Sequence, residues 1–394
     1  MTNSPERFLG DLIKDINKDL SPRELDYDSK DKTDYKTFSE KKISFDSNYS
    51  FNSFSSFLSF EDNKLSSKNK FSSIITLNQS SILSAFNNQR NTIILQKSLM
   101  EASKETIDNI IKEMSGTFDK IIKNKNGNYF CSDLFKVCEQ NQRIIILNEI
   151  SNLICDDCID EFGTHPIQTL IELSKSQEEY KLILSSFNNN DKILKASLNS
   201  NGFFVIQKIM VHIPERYRME FNMKFIKYLS VLSMDMYGVC TVKKFISYTK
   251  NELLVKQILN IILTNFVNIS QNQYGNYLIQ FILEDWWNTN EGIFLKKLCI
   301  SKFHILASNH FSLYICDLFI KLSNNEEKQQ LISSLNKDNE IIHLKNNKNG
   351  NIIINKLMNS LKNQNLNNVK KNNFPLSLNN IKVFTPKKNN NQKI

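Results

Sequence analysis

Six glycines constrain this chain more than any other feature. They stand at Gly127, Gly163, Gly202, Gly238, Gly275 and Gly350, separated by 36, 39, 36, 37 and 75 residues. The last gap is two periods, and its missing glycine falls at Ser312; one period before Gly127 the register falls on Asn91. Self-similarity at this spacing is the mark of a solenoid, in which each unit buries its apolar face only against its neighbours.

The five residues after each anchor confirm the register. They are Thr92–Gln96 (Thr-Ile-Ile-Leu-Gln), Asn128–Ser132 (Asn-Tyr-Phe-Cys-Ser), Thr164–Gln168 (Thr-His-Pro-Ile-Gln) and Phe203–Gln207 (Phe-Phe-Val-Ile-Gln). Then come Val239–Lys243 (Val-Cys-Thr-Val-Lys), Asn276–Gln280 (Asn-Tyr-Leu-Ile-Gln), Leu313–Asp317 (Leu-Tyr-Ile-Cys-Asp) and Asn351–Asn355 (Asn-Ile-Ile-Ile-Asn). Positions three and four are apolar or Cys except at Thr241, the first and fifth are mostly polar, and the second is often aromatic. Later stretches in each unit, such as 141–150 and 252–262, carry helical spacing, and strand alternation is absent. The spacing predicts an all-α chain of eight units.

The ends read differently. Residues 1–70 are rich in Ser, Asn, Asp and Lys with singly scattered phenylalanines, and the basic, Asn- and Lys-rich stretch 366–394 resembles them in composition. Both are expected to be disordered tails flanking a repeat domain at 71–365. The first 70 residues hold 12 Lys+Arg against 13 Asp+Glu, so the rest of the chain holds 38 against 28, a surplus of +10 that suits a polyanionic partner.

On a helix, residues i and i+4 share a face, so the first and fifth pentad positions point together with the second beside them. Stacked units then present a row of polar pairs interleaved with rings. Amides bond base edges and rings stack on base faces, so such a row suits unpaired RNA bases. The rings available for stacking are Tyr129, His165, Phe204, Tyr277 and Tyr314; Ile93, Cys240 and Ile352 occupy the same position elsewhere. Inter-repeat packing is the competing reading for Ile93, Val239, Leu313 and Ile352.

On these pentads, above all 274–280, 126–129 and 202–208, the chain resembles the Pumilio (PUF) family over roughly residues 75–365. The resemblance implies a right-handed superhelical arc of eight three-helix repeats of about 37 residues each, reading RNA antiparallel, one base per repeat, with the last repeat at the 5′ base of a UGU-type element. It implies uracil for Asn276 with Gln280, and adenine for Thr92 with Gln96 and Thr164 with Gln168, near matches to the family's Cys or Ser with Gln that carry an added methyl. Asn128 with Ser132 and Asn351 with Asn355 keep the uracil-type Asn beside a shorter partner. Leu313 with Asp317 stands where Ser and Glu would read guanine. Phe203 with Gln207 and Val239 with Lys243 match no pair of that code. The implied role is control of mRNA translation or decay through 3′ untranslated regions, with effector proteins of repression or decay as partners.

Other chemistries find little support. Seven cysteines without a secretory leader fit a reducing, cytoplasmic setting, and no stretch reaches the ~18 apolar residues of a membrane span. The chain is expected to be soluble and monomeric. Asp156-Asp157-Cys158-Ile159-Asp160 spells a DDxxD, but no second acidic motif follows. Cys155 and Cys158 form a CxxC with no second half at zinc spacing. His165, His212, His304, His310 and His343 form no ligand cluster, so neither catalysis, metal nor cofactor is expected. Two other readings stay open: a protein-binding helical scaffold, and a repeat protein without sequence selectivity acting in ribosome assembly.

Overall fold

The computed structural model describes residues 78–337 and 339–372, all within the compact unit Ser67–Ile394. The tails expected at 1–70 and beyond 372 lie outside the described residues.

Every regular element among the described residues is helical. The pentads lie on α1 (Gln89–Leu99), α2 (Gly127–Val137), α3 (Thr164–Leu173), α4 (Gly202–His212), α5 (Gly238–Ser247), α6 (Gly275–Trp286), α7 (Leu313–Leu322) and α8 (Lys348–Asn372). Each of these helices packs on the next, α1 on α2 through to α7 on α8. A second layer comprises Lys104–Met114, Gln140–Ile150, Gln177–Ser185, Met219–Ile226, Glu252–Thr264, Asn290–Ser308 and Asn325–Lys337, and short helices such as Phe118–Ile122 and Ile154–Ile159 join the layers. The fold is the all-α solenoid that the glycine register predicts.

One polar residue starts each inner helix. Asn88, Asn124, Asp160, Asn199, Asp235, Asn272, Asn309 and Asn347 all stand three residues before the glycine register. Their side-chain oxygens accept backbone N–H groups at 2.8–3.2 Å, closing the turn into the helix.

The glycine itself answers to a close approach. A Cβ at Gly275 would lie 2.4 Å from the Ile269 carbonyl oxygen, and one at Gly163 2.4 Å from that of Asp157. At Ser312 the hydroxyl instead donates to the corresponding carbonyl, Leu306 O, at 2.7 Å. The exception to the glycine register keeps the contact as a hydrogen bond.

Pentad positions three and four fill the space between layers. Phe130, Cys131, Val205, Ile206, Leu278, Ile279, Ile315, Cys316, Ile353 and Ile354 are all buried. In the first unit Leu95 is buried but Ile94 is exposed. The outer layer is tied by Arg143, whose Nε donates to Glu179 Oε1 at 2.9 Å. Glu179 also closes a capping box with Ser176. Burial pushes its carboxyl up, but the N–H groups of Lys175 and Ser176 and the Arg143 guanidinium outweigh that and hold it below the usual range.

Two departures from the expected plan have local causes. After Glu252–Thr264, Asn265 separates the outer helix from the following Phe266–Gln271. After Lys104–Met114 the break contains Gly116 in the left-handed region (φ 78°). Between Asn290 and Ser308 no glycine follows Gly292 and no proline occurs, so the outer and short helices fuse into one of 19 residues. At the other end, α8 continues through 366–372, seven residues into the segment expected to be a tail. Nothing there breaks a helix until Pro375.

Candidate nucleic-acid interface

The pentads place three kinds of surface along α1 to α8. The second position faces outward: Tyr129, His165, Phe204, Tyr277 and Tyr314 are exposed, Tyr277 at 47 %. The fifth position is half-buried from Gln96 to Asp317 and exposed only at Asn355. The first position lies deeper than the pattern implies. Thr92, Asn128, Thr164, Val239 and Asn276 are buried, Phe203 and Leu313 half-buried, and Asn351 is exposed.

Burial gives the asparagines a fixed orientation. Asn276 Nδ2 donates to the carbonyls of Asn272 and Gln273 at 3.0 and 2.9 Å. Asn128 Nδ2 donates to those of Asn124 and Lys125 at 2.9 and 2.7 Å. With both N–H groups spent on the backbone, each amide offers only its oxygen. Gln280 Nε2 donates to Asn276 Oδ1 at 3.0 Å, locking the pair one turn apart. Asn128 Oδ1 is buried and accepts no hydrogen bond among the described residues, and Ser132 Oγ donates to the Asn128 carbonyl. An acceptor at the first position beside a donating amide at the fifth complements a pyrimidine edge with a central N–H flanked by carbonyls, which is uracil.

The threonine units differ. Thr164 Oγ1 donates to Asn201 O of the following unit at 3.1 Å and accepts from Gln168 Nε2 at 3.0 Å. Thr92 Oγ1 lies within donating distance of Asn88 O, one turn back, and of Ala85 O in the preceding helix Gln79–Ala85, and Gln96 Nε2 reaches Asp133 Oδ2 on α2 at 2.6 Å.

Three units depart further. Phe203 stacks on its neighbour Phe204 with ring centroids 3.9 Å apart and lies 5.2 Å from the Tyr237 ring, so an aromatic ledge occupies the first position of α4. On α7, Asp317 accepts from Lys321 and from Lys356 of α8, each at 2.8 Å. Burial raises that carboxyl, but the two ammonium groups outweigh it and hold it low, so it stays ionised. On α5, buried Val239 stands beside Lys243, whose head group lies over the rings of Tyr277 and Phe281. On α8, Asn355 Nδ2 reaches Asn351 Oδ1 at 3.3 Å beside exposed Ile352.

Sequence reasoning missed the asparagine or aspartate three residues before the glycine register, although it recurs in all eight units. Lys356 and Asp133, which engage pentad residues from the adjacent helix, carry no signal of their own. The DDxxD acids separate: Asp157 is buried between two short helices, with Lys123 Nζ 3.0 Å from Oδ1, while Asp156 pairs with Lys195 at the surface. Cys155 and Cys158 are buried in Ile154–Ile159. Among the described residues no group of three His, Cys, Asp or Glu is placed to hold a metal, and no helix is long and apolar enough to cross a membrane.

Comparison with known proteins matches this geometry. A sequence model described as Pumilio-family RNA binding repeat matches residues 118–151 and 265–286, the stretches carrying α2 and α6. Pumilio homolog 12 of Arabidopsis thaliana is 25 % identical over 251 residues, 61 % of this chain and 40 % of that protein. A Pumilio domain-containing protein of Schizosaccharomyces pombe is 25 % identical over 262 residues, 66 % of this chain and 38 % of its own. The match thus spans about two fifths of these relatives' length. Among solved structures, the RNA-binding domain of yeast Puf5p bound to SMX2 RNA superposes with a TM-score of 0.63 at 19 % identity, over 73 % of this chain and 85 % of that one. The Puf4 RNA binding domain bound to the HO endonuclease RNA 3′ UTR recognition sequence gives 0.63 at 19 %, over 72 % and 88 %. These likenesses establish the fold.

Proposed function

We propose that this chain, which is similar in sequence and fold to Pumilio-family RNA-binding repeat proteins, binds single-stranded RNA along the exposed row of second-position rings, reading selected bases with the paired side chains beside them. The observation that carries the reading is the sixth unit: an Asn276 amide clamped by two carbonyls, a Gln280 amide bonded to it, and an exposed Tyr277.

The units contribute unequally. Asn276 with Gln280 reads uracil, and Asn128 supplies the same acceptor in the second unit beside a weaker partner. Thr164 with Gln168 and Thr92 with Gln96 read adenine. Asp317, kept ionised by two lysines, accepts from guanine, giving a UGU-type element across α8, α7 and α6. Phe203 offers a face instead of an edge, so the fourth unit stacks without selecting. The solved neighbours named above carry RNA, one of them a 3′ UTR recognition sequence. On that basis the proposed role is control of mRNA translation or decay in the cytoplasm, as a monomer that recruits effector proteins.

The test is in-vitro RNA selection with the wild-type chain and with the double variant Asn276→Ser/Gln280→Glu. Replacing the amide pair by a hydroxyl and a carboxylate offers an acceptor to guanine's N1–H and amino group. One base of the selected element is expected to change from U to G while the others stay. An unchanged element from the double variant refutes base reading by this pair.

A further inference from the structure

In three units the residue that follows the pentad reaches back to the preceding helix and meets its fifth-position side chain. Asp133, after the pentad of α2, accepts from Gln96 Nε2 on α1 at 2.6 Å. Lys356, after that of α8, donates to Asp317 Oδ1 on α7 at 2.8 Å. Phe281, after that of α6, has its ring centroid 5.7 Å from Lys243 Nζ on α5. On α4 the same place holds Lys208, which pairs with Glu172 on α3 instead.

Asp133 dictates how the Gln96 amide is turned. The aspartate is half-buried, and its Oδ1 accepts from Lys136 Nζ at 2.9 Å while Oδ2 serves α1. An ionised carboxylate accepts and cannot donate, so it admits only the amide orientation that brings Nε2 toward α2. Gln96 Oε1 accepts no hydrogen bond among the described residues. On α6 the holder is different, since Gln280 Nε2 turns to its own first position, Asn276 Oδ1, at 3.0 Å. On α3 Gln168 Nε2 meets the Thr164 hydroxyl at 3.0 Å, a group that can accept or donate and so suits either orientation. The amides of α1 and α6 are thus each held by an acceptor alone, one drawn to the next unit and the other to its own helix.

We infer that Asp133 is the positioning residue by which the first unit distinguishes adenine from uracil. Adenine's pairing edge sets an amino donor beside a ring acceptor; uracil's sets a carbonyl acceptor beside a ring N–H. A glutamine amide complements either, because a half-turn about its terminal bond exchanges oxygen for nitrogen. The orientation that suits one base opposes donor to donor on the other. Held toward α2, the Gln96 amide presents Oε1 and its second N–H in one order only, the order for the adenine assigned to this unit above. The amide of α6, held on its own helix, takes uracil.

This inference rests on the RNA-binding reading, and its test separates the two. The full chain is used to select randomised RNA, and the position read by the first unit is identified as the one whose preference disappears in Gln96→Ala. Affinities for that RNA with adenine or uracil at this position are then compared by fluorescence anisotropy. Wild type is expected to favour adenine by about tenfold or more, the worth of a bidentate pair to a base edge. Asp133→Asn keeps the shape but can accept or donate, so the ratio should fall toward parity. Asp133→Lys can only donate, draws Oε1 instead of Nε2 toward α2, and should reverse the ratio to favour uracil. Circular dichroism verifies the fold of each variant, and Asp133→Asn decides the matter if the lysine variant unfolds. An unchanged ratio in the folded variants, equal losses for both bases, no position altered by Gln96→Ala, or a wild-type preference other than adenine overturns the role of Asp133 while RNA binding stands. Absence of any selected RNA overturns the RNA-binding reading together with it.

Discussion

Asp157 offers a sharp test of how the units are joined. Its side chain is fully buried between the short helices Phe118–Ile122 and Ile154–Ile159, with Lys123 at 3.0 Å and Asp119 sharing the same lysine. Burial and the neighbouring Asp119 carboxyl outweigh the lysine and push the Asp157 carboxyl up to about 7. In the unfolded chain it titrates near 3.9, so the gap is about three units, each about 1.4 kcal/mol, and its ceiling is about 4 kcal/mol. Because the folded value is the higher, this contribution is fully present below about pH 4, declines as pH rises, and is gone above about pH 7. Asp157→Asn keeps the shape and removes the titration. Urea unfolding of wild type and variant between pH 4 and 8 should give matching stabilities at the acid end. At pH 8 the variant should be the more stable by as much as a few kcal/mol. Groups common to both proteins cancel in the difference. A variant less stable than wild type at pH 8, or a difference independent of pH, would mean that the ionised pair with Lys123 stabilises the junction, and the reasoning fails.

Three further outcomes are expected. Tyr277→Ala should weaken binding of single-stranded RNA by about 1–3 kcal/mol, alike for sequences differing at the stacked base, as measured by fluorescence anisotropy. Gly275→Ala brings a Cβ to 2.4 Å from the Ile269 carbonyl and should cost about 1–3 kcal/mol of stability, seen as a lower thermal midpoint. Binding should favour single strands over duplex and fall with salt at a log–log slope of about −0.7 per phosphate contact; equal affinity for duplex in competition contradicts base reading.

Much of the fold was legible because its signals are local and repeated. The glycine register marks a carbonyl approach that admits no Cβ, and pentad positions three and four alternate with exposed ones as a helix requires. What was illegible depends on side chains from different units meeting. Gln96 with Asp133, and Asp317 with Lys356, are separated by 37 and 39 residues. Neither pair is implied by the composition of its own unit. The Phe203 ring reads in sequence as a failed base reader, whereas the structure turns it sideways onto Phe204 and Tyr237. The fused helix Asn290–Ser308 was hidden for the opposite reason, since an even period says nothing about whether the chain between two anchors bends.

The first-position asparagines connect the two levels. Asn272 accepts the N–H groups of Tyr274 and Gly275 through its side chain, closing the turn, and its own carbonyl accepts from Asn276 Nδ2. Asn124 does the same for Asn126, Gly127 and Asn128. One residue thus starts the helix and fixes which atom of the reader is left for a base. The close Gly275–Ile269 approach belongs to the same turn, so a substitution that shifts the turn also rotates the amide. The exposed Asn351 shows the contrast: its turn is closed by Asn347, but its side chain is exposed and accepts from Asn355 Nδ2. On the proposed reading, selectivity at α2 and α6 is a property of the backbone turn as much as of the pentad, and Asn272→Ala is expected to blur base choice at the sixth unit while Tyr277 still stacks.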